Sequence, residues 1–257
     1  MAETSWEMSA FEFVAAWNIL GGTRLPFPLA FREYRTPSEQ DLPGGEDASH
    51  QLQGSYGNEF FTALELLANP AVRVAICGFE GPHSEGMIRA HAGIGRDLSS
   101  VVVQVRGSRP NSGGKVEVSL HQGMEAITQL VKVMPDMPAG TRNEIAIPRT
   151  RSSIAERAGS GSLPADMPKE AKAKSDEAAL FFSQPHSSFG EIAVNLGSAV
   201  HSRKPTDGTI LQWIDYVDDG RYLIRHTEHI VARPVSPPQV VAEIEALVDQ
   251  VLKPQPS

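Results

Sequence analysis

His226 and His229 stand three apart, a spacing that lets two imidazoles chelate one metal ion from a helix face. The residues around them read as strand, where positions three apart point to opposite faces, so no metal site is expected there. Asp215, Asp218 and Asp219 crowd one short stretch. Turn chemistry accounts for Asp218 and Asp219, because Asp favours tight reversals. Asp215 falls inside a strand, yet no spacing places a second carboxylate or a base beside it. Gly107 to Lys115 is glycine-rich and ends in Gly-Lys. A phosphate-cradling loop needs glycine where Arg109 sits and Ser or Thr where Val116 sits, so this reads as a long hairpin loop. Gly159-Ser160-Gly161-Ser162-Leu163 lacks the closing glycine of a nucleophile elbow. The eight histidines are scattered, and surface or loop positions explain most of them. The single cysteine, Cys77, permits neither an intrachain disulfide nor a cysteine-based zinc site, and reads as a small buried hydrophobe. No catalytic residue, metal or cofactor is expected from these patterns.

Composition narrows the classes further. The chain has 257 residues, 40% hydrophobic, with 22 glycines. That is an ordinary globular balance with enough length to bury a core without disulfides or metal. The net charge of −8 argues against a phosphate backbone as partner, since that affinity comes from Lys and Arg. No stretch approaches the roughly 18 apolar residues of a membrane span. The first apolar run, Phe13 to Leu20, follows Glu3, Glu7 and Glu12 rather than basic residues, so no export signal is expected and the cytoplasm is the default compartment.

The elements alternate in a way that suggests duplication. Ser9 and Glu12 form a capping box ahead of a helix carrying Phe13, Trp17 and Leu20, which Gly21-Gly22 stops. Leu25-Pro26-Phe27-Pro28-Leu29 must be extended. Residues 36 to 57 read as polar loop, and a second helix runs from Asn58 to Ala68. The period then becomes two: strands at Val72 to Ile76, Met87 to Ile94, Val101 to Val105 and Val116 to Leu120 precede a helix from Gln122 to Met134. A short strand, Asn143 to Ile147, follows. Residues 149–175 are rich in Gly, Ser and Pro and read as a flexible crossover into a helix at Lys169 to Phe182. The second half repeats the first, with strands at Phe189 to Asn195, Thr209 to Val217, Arg221 to His226 and Ile230 to Arg233. Asp219-Gly220 marks a type I′ hairpin, and a last helix starts at Ser236-Pro237.

Each half thus reads as antiparallel strands closed by an amphipathic helix. The expected class is α+β: one continuous antiparallel sheet with helices on one face and an internal pseudo-two-fold. The expected organisation is a single domain, 1–257, with halves of about 1–148 and 176–257 joined by 149–175. A sheet covered on one face leaves the other for binding. Phe79, Phe189 and Trp213 are the large residues that could anchor a partner there. The alternative class is a small-molecule-binding or enzymatic α+β domain with its site on the open face, which a deep polar pocket with convergent titratable groups would favour.

The order of landmarks resembles the EspG family of type VII (ESX) secretion chaperones of actinobacteria. The carrying residues are the opening helix with Leu25-Pro26-Phe27-Pro28-Leu29, Leu66-Leu67-Ala68-Asn69-Pro70, Gln129 to Pro135, and Asn143 to Pro148. Most specific are Phe189-Gly190-Glu191-Ile192-Ala193-Val194 and Trp213-Ile214-Asp215-Tyr216 followed by Asp219-Gly220-Arg221-Tyr222. The resemblance spans about residues 8 to 250. It implies a central sheet with two helical bundles, no enzymatic activity, and a cytoplasmic chaperone that covers the hydrophobic tip of the PPE subunit of a PE–PPE heterodimer. It also implies the ESX machinery as a further partner, allows a homodimer of the free chaperone, and gives no role to membrane or nucleic acid. In the family, the long loop between the second and third strands belongs to the binding surface. Here that loop is about Phe79 to Gly86, with Glu80, His83, Ser84 and Glu85 as candidate contacts.

Overall fold

Period-two alternation builds most of the sheet. In the computed structural model, which describes residues 4–31, 46–107, 113–148, 169–199, 208–226 and 229–253, the strands are β1 (Thr4–Met8), β2 (Val72–Glu80), β3 (Gly86–Ile94), β4 (Leu98–Arg106), β5 (Gly113–Gln122), β6 (Ile145–Ile147), β7 (His186–Leu196), β8 (Thr209–Tyr216), β9 (Arg221–His226) and β10 (Ile230–Pro234). The helices are α1 (Ala10–Ile19), α2 (Glu46–Ala68), α3 (Glu125–Val131), α4 (Lys169–Phe182) and α5 (Pro237–Leu252). The strands join in one ten-stranded sheet, ordered β1-β5-β4-β3-β2-β7-β8-β9-β10-β6. That order reads the same from either end. Each half supplies an edge strand, a helical segment (α1 and α2 in the first, α4 in the second), a four-strand meander and a closing helix, and the halves meet where β2 pairs antiparallel with β7.

Several expectations need revision. β1 was missed: Ser5 and Glu7 alternate with Trp6 and Met8, and the strand pairs with β5 as Trp6 opposite Val118. α2 starts at Glu46 inside the stretch read as loop, and Gly57 interrupts it with φ 78°. β6 pairs with β10, so it completes the second half rather than the first. Residues 32–45, 108–112 and 149–168, where parts of the polar loop, the glycine-rich hairpin and the crossover fall, lie outside the described residues, as does His201.

Helices cover both faces, not one. On the first face, Val74, Ile76, Ile192, Leu211 and Trp213 bury under α3 and α5. α5 presents Val240, Ile244, Leu247 and Val248 from one stripe, each burial stabilising by about 1.5–3 kcal/mol. Its start follows the sequence: Ser236 and Gln239 form the capping box and Pro237 occupies the first turn. On the second face, α1 and α2 lay Phe13, Trp17, Phe60, Leu64 and Leu67 over Val102, Val116 and Val118. Towards the other edge of that face, α4 inserts Phe181 between Tyr216 and Tyr222, with ring centroids 5.0 and 5.1 Å away.

Two buried polar groups lock this arrangement. Arg221 and Asp215 are both fully buried, and Nε and a terminal nitrogen of Arg221 donate to the two carboxylate oxygens at 2.7 and 2.8 Å. The guanidinium also donates to the Pro135 carbonyl at 2.7 Å, and Ser188 Oγ donates to Asp215 at 2.5 Å. Removing one partner of such a pair leaves a bare buried charge, at a cost of about 3–5 kcal/mol. On the second face, His91 sits under the 25–31 segment, with Phe27 O 2.9 Å from Nδ1. A carbonyl only accepts, so Nδ1 carries the proton. Burial pushes the imidazole down to about 4.

Urea unfolding should show Arg221→Met losing about 3–5 kcal/mol, and the double variant Asp215→Leu/Arg221→Met losing less than that single change, because no unpaired charge remains. A depressed histidine stabilises the fold fully above its unfolded value of 6.5 and loses that contribution as pH falls through 6.5 towards about 4. Unfolding free energy should therefore drop from this group by about 2 kcal/mol between pH 7.5 and 5. The same titration of His91→Gln should lack that share of the slope.

Candidate partner-binding surface

The candidate residues Phe79, Glu80, His83, Ser84 and Glu85 lie together on the hairpin between β2 and β3. The connection is a five-residue turn, 81–85, not the long loop expected. Gly81 (φ 91°) and Ser84 (φ 55°) take left-handed conformations that allow the tight reversal. Ser84 N–H donates to the Gly81 carbonyl at 3.0 Å, and His83 N–H donates to the Glu85 carboxylate at 3.0 Å. The backbone N–H groups of Glu85 and His83 hold that carboxyl below its ordinary value. The tip thus presents Glu80, His83 and Glu85 as exposed polar side chains on a fixed turn.

Trp213 does not join them. Register places it opposite Gly190, whose neighbour across β2 is Gly78, on the face beneath α5. A Cβ on Gly78 or Gly190 would stand 2.5 or 2.3 Å from the indole, so the two glycines make room for it. The side chain is 1% exposed, and its Nε1 donates to Ser188 Oγ at 3.2 Å. Expected as an anchor, it borders the groove floored by Phe79 and Phe189 but packs its side chain into the first-face core.

Phe79 and Phe189 are paired across β2 and β7, with ring centroids 5.6 Å apart. They floor a groove of about 610 Å³ on the second face, between the α1–α2 layer and α4. Cys77, Gln212 and Ile214 continue the floor. Phe27 stands on one wall and Phe182 on the other. His186 meets the Phe189 ring edge-on at 5.1 Å. The Phe27 wall is held by an amide clamp: Ala30 N–H donates to Gln104 Oε1 at 2.9 Å, and Gln104 Nε2 donates back to Ala30 O at 2.8 Å. The α4 wall ends in an unburied aromatic side chain, Phe182 at 46% exposure. An exposed aromatic side chain beside an aromatic floor suits a protein partner.

Sequence reasoning found Phe79 and Phe189 and missed Phe27, Phe182, His186 and Ile214. Cys77, expected to be buried, is only partly so and lines the groove. Alternation on β2 already placed Cys77 and Phe79 on one face. Nothing in the pattern reveals that α4 stops short of covering them. Of the other candidates for chemistry, Asp215 is occupied by Arg221, Asp219 accepts from Thr141 and Tyr222 at 2.6–2.8 Å, and His226 Nε2 lies 2.9 Å from Gln212. Among the described residues no group of three His, Cys, Asp or Glu could hold a metal ion, and no helix is long and apolar enough to cross a membrane.

The solved structure of the Mycobacterium tuberculosis type VII secretion system chaperone EspG5, in complex with a PE25–PPE41 dimer, has the same fold. The match has a TM-score of 0.58 at 11% identity and covers 98% of each chain. No individually curated protein matches the sequence. The EspG family model matches residues 9–246. With the ten-stranded duplicated sheet and nearly the whole length accounted for, the chain belongs to the EspG family.

Proposed function

We propose that this chain is a cytoplasmic chaperone of type VII (ESX) secretion. It covers the hydrophobic tip of the PPE subunit of a PE–PPE heterodimer and keeps the pair soluble until export. The observation that carries this reading is the aromatic groove with its exposed apolar rim, set beside the hairpin tip in a member of the EspG family. The similar solved chaperone is held in complex with a PE–PPE dimer. A helical tip that would otherwise self-associate gains by burying its apolar side chains here, and the charged hairpin supplies a polar rim.

In this reading the protein binds and shields, and performs no catalysis. Phe79, Phe182 and Phe189 supply the apolar contact. Glu80, His83, Ser84 and Glu85 supply hydrogen bonds and register at the edge. The two halves work as one domain, 1–257, because the groove lies across their junction. The ESX machinery is the later partner that takes the client over.

Co-expression with a cognate PE–PPE pair should give a complex holding one copy of each chain, read by size-exclusion chromatography with light scattering. Phe79→Asp and Phe182→Asp should each weaken it by about 2 kcal/mol, roughly thirtyfold in Kd, with little change in Tm. Failure of every cognate pair to co-elute with the unaltered protein would sink the reading.

A further inference from the structure

The central strand pair gives the correspondence between the halves residue by residue. Ile76 lies opposite Ile192, and Glu80 and Leu196 end their strands at equivalent places. Just beyond them Gly81 and Gly197 both have positive φ, 91° and 76°. Each donates its N–H to a carbonyl at the start of the other strand, Gly81 to Ser187 at 2.9 Å and Gly197 to Ala71, just before β2, at 3.2 Å. Arg73 and Phe189 are therefore counterparts. So are the residues paired with them on the next strands, Gly93 and Ile214.

In the first half this location is filled. A Cβ on Gly93 would stand 1.9 Å from the Leu66 carbonyl oxygen, so the last turn of α2 lies directly on the sheet. Ser198 and Ala199 close the helix end. Ala199 N–H donates to the Ala68 carbonyl at 2.7 Å, and Ser198 Oγ donates to the same oxygen at 2.9 Å. Ala199 is fully buried.

In the second half the same location is the open groove. Counted to the equivalent positions Val72 and Ser188, three residues follow α2 and five follow α4, so the second link is long enough to let α4 reach the sheet. What differs on the sheet itself is the side chain of Ile214 where Gly93 has none. The chain after Gly81 also differs, reversing into β3 instead of running on to a helix end.

We infer that Ile214 is a positioning residue: it props the end of α4 off the sheet and so keeps the groove open as an unfilled helix seat. The apolar helix end of the client takes the place that the last turn of α2 takes in the first half. This second statement rests on the chaperone reading; the role of Ile214 does not.

Cys77 lies in the groove and is the only cysteine, so its alkylation rate reports whether the seat is open. In the free full-length chain, Ile214→Ala and Ile214→Gly should let α4 settle and slow Cys77 labelling by N-ethylmaleimide at least about threefold. Ile214→Val should keep the rate of the unaltered protein. Unfolding would raise the rate, so a misfolded variant is not mistaken for a closed one. Unchanged or faster labelling in both folded Ile214→Ala and folded Ile214→Gly overturns the role of Ile214. With a cognate PE–PPE dimer bound, Cys77 of the unaltered protein should be protected at least about tenfold. A complex that forms without that protection overturns the seat while leaving the chaperone reading intact. No complex at all overturns the chaperone reading while the Ile214 comparison stands.

Discussion

One buried ion pair ties three strands and a helix exit together on the sheet's first face. Asp215 on β8 and Arg221 on β9 face each other across a hairpin, both side chains buried. A carboxylate so placed is tolerable only if its oxygens are engaged, and Arg221 and Ser188 engage both. Ser188 brings in β7, and the Pro135 carbonyl brings in the chain leaving α3. Trp213 donates to the same serine and lies over Gly78 and Gly190. The pair therefore sets the register of three strands and the exit of one helix. A hydrophobic pair of similar volume would fill the space but would specify none of these alignments.

Much of the architecture could be read from residue types alone. Ser9 with Glu12 and Ser236 with Gln239 announce two helix starts, and both capping boxes are present. The alternating and β-branched runs announce nine of the ten strands and their duplication. The ion pair was hidden by turn type. A two-residue Asp219-Gly220 turn sets residue 218 opposite Arg221, whereas the observed three-residue turn 217–219 closes on Tyr216 and Gly220 and so sets Asp215 there. Only Gly220 at that reversal has positive φ, so the expected type I′ geometry is not adopted. Asp219 instead spends its carboxylate on Thr141 and Tyr222.

The surface for a partner was half legible for a different reason. Alternation says which residues share a face but not which face a helix will cover. Trp213 and Phe189 are both large and both on central strands, and only register separates them. The glycines at 78 and 190 were the available clue, since an indole needs a place with no Cβ beneath it. The groove itself arises from a difference between copies. Duplication makes a symmetric frame, and a site appears where one copy carries Ile214 and the other Gly93.

The strand order also has a consequence at its two ends. The outermost strands are short, five residues in β1 and three in β6, and everything longer is flanked on both sides. Unpaired amide rows invite strand-on-strand stacking between molecules, and brevity at the margins denies them a template. A molecule that displays a greasy cleft is thereby kept from polymerising through its own backbone, and its stickiness is confined to side chains that a visitor can cover.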